Sequence, residues 1–71
     1  MTTDFIVHGM PQDTVFLLEP VTIYAADWIE EHIPTNAPTV GNNIAVEHRF
    51  IGQIVRGIQD DGLTVKHARL Q

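Results

Sequence analysis

Two prolines, Pro20 and Pro34, bracket the segment that most constrains how this chain folds. The stretch EPVTIYAADWIEEHIP (19–34) is amphipathic at 100° per residue, with Trp28 among the apolar side chains of one face and the carboxylates on the other. Thr22 is suited to cap the N-terminus of a helix. Pro34 ends the helix, because the residue before a proline disfavours the α region. The segment therefore predicts a helix with one apolar and one acidic face.

The remaining periodicity predicts strands on both sides of this helix. DFIVH (4–8) and TVFLL (14–18) are rich in β-branched and aromatic residues, and the turn-forming segment GMPQD (9–13) between them indicates a β-hairpin. IAV (44–46) predicts a short strand, and LTVKH (63–67) alternates as a half-buried strand does. The polar, proline-containing and glycine-containing stretch between Pro34 and residue 44 is expected to be a loop.

A second helix is predicted over EHRFIGQIVRGIQDDG (47–62). Phe50, Ile54 and Ile58 recur at four-residue spacing and form its apolar stripe. Gly62 suits the position after the C-cap, where a left-handed conformation is needed. The charged run Glu47-His48-Arg49 is then interpreted as the start of this helix rather than as a catalytic trio.

These elements predict one small α+β domain spanning residues 1–71, in the order β-β-α-β-α-β. We expect a sheet of three to four strands, consisting of the N-terminal β-hairpin plus later strands, with two helices packed on one face. The expected core contains Phe5, Val7, Leu17 or Phe16, Trp28, Ile29, Ile33, Phe50, Ile54, Ile58, Leu63 and Val65.

Length and composition exclude several classes of protein. A chain of 71 residues without cysteine has no disulfide framework and no thiolate zinc site. The longest apolar run is the four residues from Val15 to Leu18, too short for a membrane span, and the first residues lack the basic region of a signal peptide. We therefore expect a soluble cytoplasmic protein with no membrane partner. A homodimer would be one way for so short a chain to bury more apolar surface.

Charge is divided unevenly along the chain, whose formal net charge is −5. Residues 1–48 contain seven carboxylates and neither lysine nor arginine, whereas all four basic residues lie in the last 23 positions. One interpretation is a chance arrangement in a small chain. The other is a dipolar surface that orients a partner or a second copy of the chain.

The residues typical of catalytic and metal sites are sparse. Serine and cysteine are absent, no glycine-rich phosphate loop is present, and no histidine has a second ligand at metal-binding spacing. The four histidines fall on four different predicted elements: His8, His32, His48 and His67. We expect no catalytic residues, no cofactor and no metal, and therefore a protein that is not an enzyme.

Candidate partner-binding residues lie on the polar face of the first predicted helix. Asp27, Glu30 and Glu31 share this face. They are either an ordinary solvated helix surface or a docking face for a basic partner protein. In the second case Trp28 or Tyr24, at the border of the face, would be the aromatic anchor.

The other candidate residues are Arg49 and Arg56, which lie seven positions apart and so share one face of the second helix. If this face met the acidic face of a second copy, a homodimer would result. With Lys66 and Arg69 the two arginines would form a basic stripe for nucleic acid. The negative net charge and the small number of basic residues argue against that use.

Several stretches together resemble a group of small uncharacterised proteobacterial proteins encoded near phage or plasmid genes. The resemblance is carried by FLLEPVT (16–22), then Ala26, Trp28 and His32, then VEHRF (46–50) and DDGL (60–63). It covers most of the chain beyond the first dozen residues, and Val21 stands where a leucine is expected. The resemblance implies a mobile-element context and transfers no catalytic residue.

The sequence therefore predicts a non-enzymatic protein-interaction domain or adaptor of a phage-type or plasmid-type element, including one that associates with itself. The alternative is a small nucleic-acid-associated regulator that uses the helix face of Arg49 and Arg56.

Overall fold

The computed structural model describes residues 2–9 and 14–68, which form five strands and two helices. The elements in chain order are β1 (Phe5–His8), β2 (Val15–Pro20), α1 (Ile23–His32), β3 (Thr39–Val40), β4 (Asn43–Glu47), α2 (His48–Asp60) and β5 (Val65–Ala68). The predicted α+β class with two helices is confirmed. The predicted count of three to four strands and the predicted order β-β-α-β-α-β are wrong, because an additional strand, β3, precedes β4.

The additional strand is two residues long and lies within the expected loop. It pairs antiparallel with β4, so that Thr39 lies opposite Ile44 and Val40 opposite Asn43. Gly41, with φ of 64°, begins the two-residue turn between the strands. A positive φ at the first turn position and not at the second is typical of the type II′ turns that join antiparallel strands. Thr39 and Val40 are β-branched and Gly41-Asn42 suits a two-residue hairpin turn, so the sequence contains a strand signal, although one of only two residues within a polar loop.

The strands form one mixed sheet in the order β3-β4-β2-β1-β5. Only the contact between β1 and β5 is parallel. Phe5 and Val7 of β1 point to the same side as Leu18 of β2 and Val46 of β4, and both helices pack on that side. The alternate residues, such as Ile6, face the opposite side, which no described helix covers.

The core is smaller than the sequence predicts. Seven apolar residues are buried among the described ones: Phe5, Val7, Leu18, Ala25, Trp28, Val46 and Ile58. Phe16 packs against this cluster, whereas its alternative, Leu17, faces the open side of the sheet in register with His8. The prediction that Phe50 is a core residue is wrong, since 42% of its surface is exposed. It lies at the edge of the apolar stripe of α2, where neither the sheet nor α1 covers it fully.

The N-terminus of α1 confirms the predicted cap. The Oγ1 of Thr22 accepts a hydrogen bond of 3.1 Å from the backbone N–H of Ala25 and so satisfies one free donor of the first turn. Pro20 ends β2 instead of opening the helix. The helix stops at His32, two residues before Pro34, as the preference of residues preceding proline requires. Most of the hairpin loop (10–13) and the C-terminal residues 69–71 lie outside the described residues.

Asp4 ties three elements together just before β1. Its Oδ1 accepts a bond of 2.7 Å from the hydroxyl of Thr22, and its Oδ2 accepts a bond of 3.0 Å from the backbone N–H of Thr64. The backbone N–H of Asp4 donates in return to the Oγ1 of Thr64 at 3.0 Å. The Thr64 N–H, followed by the Thr22 hydroxyl, lowers the pKa of Asp4 below its ordinary value of 3.8, because both stabilise the carboxylate.

We expect Asp4 to make the stability of the fold depend on acid pH. Because its pKa is lowered in the folded state, its contribution is present above the unfolded value near 3.8 and is lost as the pH falls through the folded pKa. Asp4→Asn should lower the melting temperature by a few degrees at pH 7. The gap to the wild type should narrow as the pH falls below 4, as thermal melts followed by circular dichroism can measure. A gap of constant size down to pH 2 would contradict this assignment.

The C-terminus of α2 forms the predicted glycine cap. The backbone N–H of Gly62 donates to the carbonyl of Gln59 at 3.0 Å, and that of Leu63 donates to the carbonyl of Ile58 at 3.2 Å. Gly62 has φ of 84°, the left-handed conformation of a Schellman motif. This cap turns the chain away from α2 and back toward β5.

Two glycines of this region should respond oppositely to replacement by alanine. Gly52 is exposed within α2, and an added Cβ would meet no other atom within 4 Å. Gly52→Ala should therefore stabilise the protein by about 0.5–1 kcal/mol through helix propensity. Gly62→Ala should destabilise it by about 1 kcal/mol, because a side chain is strained in the left-handed region. Urea denaturation of the two variants measures both effects, and a shift of the same sign in both would contradict this interpretation.

Candidate protein-interaction surface

One side of α1 is left to solvent and combines apolar and acidic side chains. The helix buries Ala25 and Trp28 against the sheet. Ile23 and Tyr24 in its first turn are 74% and 65% exposed, and the predicted acidic face follows them on the next two turns. We call this set the α1 surface: Ile23, Tyr24, Asp27, Glu30 and Glu31. Its members are neighbours because residues three and four apart in a helix lie side by side.

A cleft of about 430 Å³ borders the α1 surface where the chain leaves α2. Asp27 and Glu31, one helical turn apart, lie along one wall with Tyr24, and Asp61 and Leu63 lie across from them. The structure thus brings two of the three predicted acidic residues to the cleft. Glu30 lies outside it, elsewhere on the exposed side of α1.

Trp28 supports the cleft from below and is fixed on several sides. Its ring and that of Phe5 make a T-shaped contact with the centroids 5.8 Å apart, and His32 stacks on it at 4.3 Å. Its indole N–H donates a hydrogen bond of 2.7 Å to Oδ2 of Asp61. Only 8% of Trp28 is exposed, so of the two anchors considered, Tyr24 is the accessible one.

His32 completes the link between the two helices. Its Nδ1–H donates to the backbone carbonyl of Trp28 at 2.9 Å, as a donor in the last turn of a helix is expected to do. The second ring nitrogen, Nε2, lies 3.6 Å from Oδ2 of Asp61. Asp61 therefore contacts both rings of the stack and fixes the end of α2 against α1.

The electrostatics of the cleft favour a cation. Among residues 2–9 and 14–68, no lysine or arginine lies within 4.0 Å of Asp27, Glu30 or Glu31. Of the described residues that line the cleft, three are carboxylates and one, His32, is basic. A lysine or arginine of another molecule would find carboxylate acceptors here beside the exposed ring of Tyr24.

The two predicted basic residues are exposed on α2, as expected. Arg49 contacts its own chain: its Nε lies 3.1 Å from Oε2 of Glu47, and its guanidinium lies over the ring of Phe50, 4.8 Å from the centroid. Both members of the ion pair are largely exposed, so the pair adds little stability. Arg56 makes no such contact with a carboxylate in the described part of the chain.

The remaining basic residues do not extend this pair into one stripe. Lys66 lies in register with Ile6, on the side of the sheet opposite the helices. Arg49 and Arg56 lie on the helix side, so the sheet separates them from Lys66. Arg69 lies outside the described residues. The basic stripe considered from the sequence is therefore divided between two faces of the domain.

The histidines are dispersed in the fold. His8 donates from Nε2 to Oε1 of Glu19 at 2.6 Å on the open side of the sheet, and His48 stacks on Phe16 at 5.9 Å. Within the ranges that the structure describes, no three side chains of the histidine, aspartate or glutamate type converge as metal ligands would. Neither described helix is long and apolar enough to cross a membrane.

Sequence reasoning missed Asp61 as a member of this region. The sequence does contain one signal for it: a buried tryptophan needs a hydrogen-bond acceptor for its N–H, so Trp28 predicts that some acceptor lies nearby. The sequence offers nine carboxylates, however, and only the position of the end of α2 beside Trp28 selects the one that follows α2.

Comparison with known proteins finds no matching family model, no similar curated protein and no similar solved structure.

Proposed function

We propose that this protein is a non-enzymatic protein-interaction domain that binds a basic segment of a partner protein on the α1 surface. One observation carries the proposal: two exposed large apolar side chains, Ile23 and Tyr24, lie next to a cleft lined by carboxylates. Single exposed apolar residues are ordinary on protein surfaces, but adjacent ones beside unpaired charges are typical of binding surfaces.

Each part of the α1 surface has a role in such binding. Tyr24 offers a large contact area at low entropic cost, and tyrosine is enriched among the residues that dominate binding energy. Asp27 and Glu31 would attract a lysine or arginine of the partner and set its orientation, which raises the association rate. Trp28 is held in place by its contacts with the core, so the cleft is preorganised and less entropy is lost on binding.

The partner is expected to combine basic and apolar side chains. The carboxylates select positive charge, and Ile23 offers an apolar contact one residue before Tyr24. The alternative occupant of the α1 surface is a second copy of the chain, whose Arg49 and Arg56 are exposed on α2. Arg49 would then exchange its contact with Glu47 for a carboxylate of the α1 surface.

The alternative function, a regulator associated with nucleic acid, has less support. It would depend on Arg49 and Arg56 alone, because Lys66 lies on the other side of the sheet. Two arginines release few counterions, and the negative net charge opposes the approach of phosphate. The cytoplasmic location and the mobile-element context predicted from the sequence complete the proposal and rest on the sequence alone.

Affinity capture from a lysate of the source cell tests this function. Wild-type protein should retain a defined protein in the presence of nuclease. Asp27→Asn/Glu31→Gln should retain less of it, because the carboxylates attract the basic segment of the partner. Both carboxylates are exposed, so their replacement leaves the core intact. Arg49→Gln/Arg56→Gln, the matched control on α2, should keep it. Loss with the control alone, or loss after nuclease treatment, would refute the proposal in favour of the alternative.

A further inference from the structure

An apolar groove lies beside the first turns of α2, next to the chain that follows α1. The cleft described above lies instead where the chain leaves α2. The volume of the groove is about 260 Å³, far more than the roughly 30 Å³ of one water in the liquid. Six of its lining residues are Ile33, Ile44, Val46, Glu47, Phe50 and Ile54. Apolar walls of this kind favour a side chain of another molecule over water.

Phe50 is both a wall of the groove and an exposed ring beside it. The guanidinium of Arg49 lies over this ring, 4.8 Å from the centroid. An exposed aromatic ring and a groove that accepts one are therefore present on the same patch.

The rim of the groove carries one charge of each sign. Glu47 and Arg49 are exposed and lie 3.1 Å apart within the chain. An interface with two-fold symmetry requires a patch that is complementary to itself. If one residue of the first copy contacts a second residue of the other copy, the reverse contact must form as well. This patch meets that requirement, because the ring of Phe50 can pair with the groove of a second copy and Glu47 can pair with its Arg49.

We propose that this groove is a self-association surface, in which Phe50 of one copy enters the groove of a second copy. Glu47 of each copy then faces Arg49 of the other. Ile33, Ile44 and Ile54, which are only partly buried in the single chain, become covered. The contact is small, so the expected dissociation constant is on the order of micromolar or weaker.

A second copy fits the patch because it supplies the apolar ring and both charges at once. This contact differs from a dimer built on the carboxylates of α1, and it leaves the α1 surface free. The dimer would therefore present two α1 surfaces, which strengthens binding to a partner with repeated basic segments.

Sedimentation velocity over a wide range of protein concentration tests the proposal. The wild type should form a dimer whose fraction rises with concentration. Glu47→Arg and Arg49→Glu should each remain monomeric, because each places like charges opposite one another. The double variant Glu47→Arg/Arg49→Glu should form the dimer again. Phe50→Ala, checked for folding by circular dichroism, should weaken association by at least about 30-fold.

The control is Asp27→Asn/Glu31→Gln, which should dimerise as the wild type does. Dissociation of this control would overturn the proposal and assign self-association to the oppositely charged faces of the two helices. A wild type that stays monomeric at millimolar concentration would also overturn it. So would failure of the double charge exchange to restore the dimer.

Discussion

Phe5→Ala should leave the protein largely unfolded near room temperature or only marginally folded. Phe5 is fully buried, and its ring packs edge to face on Trp28, so its removal opens a cavity beneath the helix layer. Truncating a buried phenylalanine costs about 3–5 kcal/mol. A domain of 71 residues is stabilised by only about 4–10 kcal/mol in total. The loss is therefore a large fraction of the stability, and it also removes the support of the cleft.

Urea denaturation followed by circular dichroism measures this loss. With a slope of about 1 kcal/mol per molar urea for so small a domain, the midpoint should fall by about 3 M or more. Tyr24→Ala is the matched control, an aromatic truncation at an exposed helical position, and should change the stability by less than about 0.5 kcal/mol. Equal effects of the two variants would show that Phe5 is not the core residue that its burial indicates.

Tyr24→Ala should instead abolish most of the binding to the partner. The side chain is 65% exposed and borders the cleft. It therefore contributes little to folding and is accessible to a partner. Truncating an anchoring tyrosine costs about 2 kcal/mol or more, which corresponds to at least about a 30-fold loss of affinity.

Replacing the carboxylates of the α1 surface should affect this interaction in a different way from Tyr24→Ala. Asp27→Asn/Glu31→Gln should slow association and reduce its dependence on salt, because exposed charges mainly steer the encounter. Val40→Ala, which truncates an exposed apolar side chain on β3, is the control and should bind as the wild type does. A loss of affinity equal to that of Tyr24→Ala in this control would contradict the assignment of the α1 surface.

Helix termini were predictable from the sequence because local chemistry determines them. Thr22 caps α1 through its own hydroxyl, and Gly62 closes α2 because only glycine adopts its conformation without strain. The acidic face of α1 was predictable for the same reason, since the helical period places Asp27 and Glu31 together.

The features that the sequence did not yield depend on contacts between distant segments. β3 has only two residues, so its β-branched Thr39 and Val40 are too short a signal to predict a strand without their pairing with β4. Phe50 was expected in the core because its spacing matches Ile54 and Ile58, but periodicity does not reveal how far a sheet and a neighbouring helix extend. Asp61 joins the cleft only because α2 ends beside Trp28. These outcomes are properties of packing, and one sequence does not specify them locally.

Site-specific photo-crosslinking tests most directly whether the α1 surface contacts a partner. A benzophenone amino acid would replace Tyr24 in one preparation and Val40 in another, and each would be irradiated in a nuclease-treated lysate. A defined crosslinked protein should form from position 24, form in smaller yield when Asp27→Asn/Glu31→Gln is added to the same chain, and not form from position 40. Crosslinking from position 40 with none from position 24 would contradict the central claim that this protein binds its partner through α1.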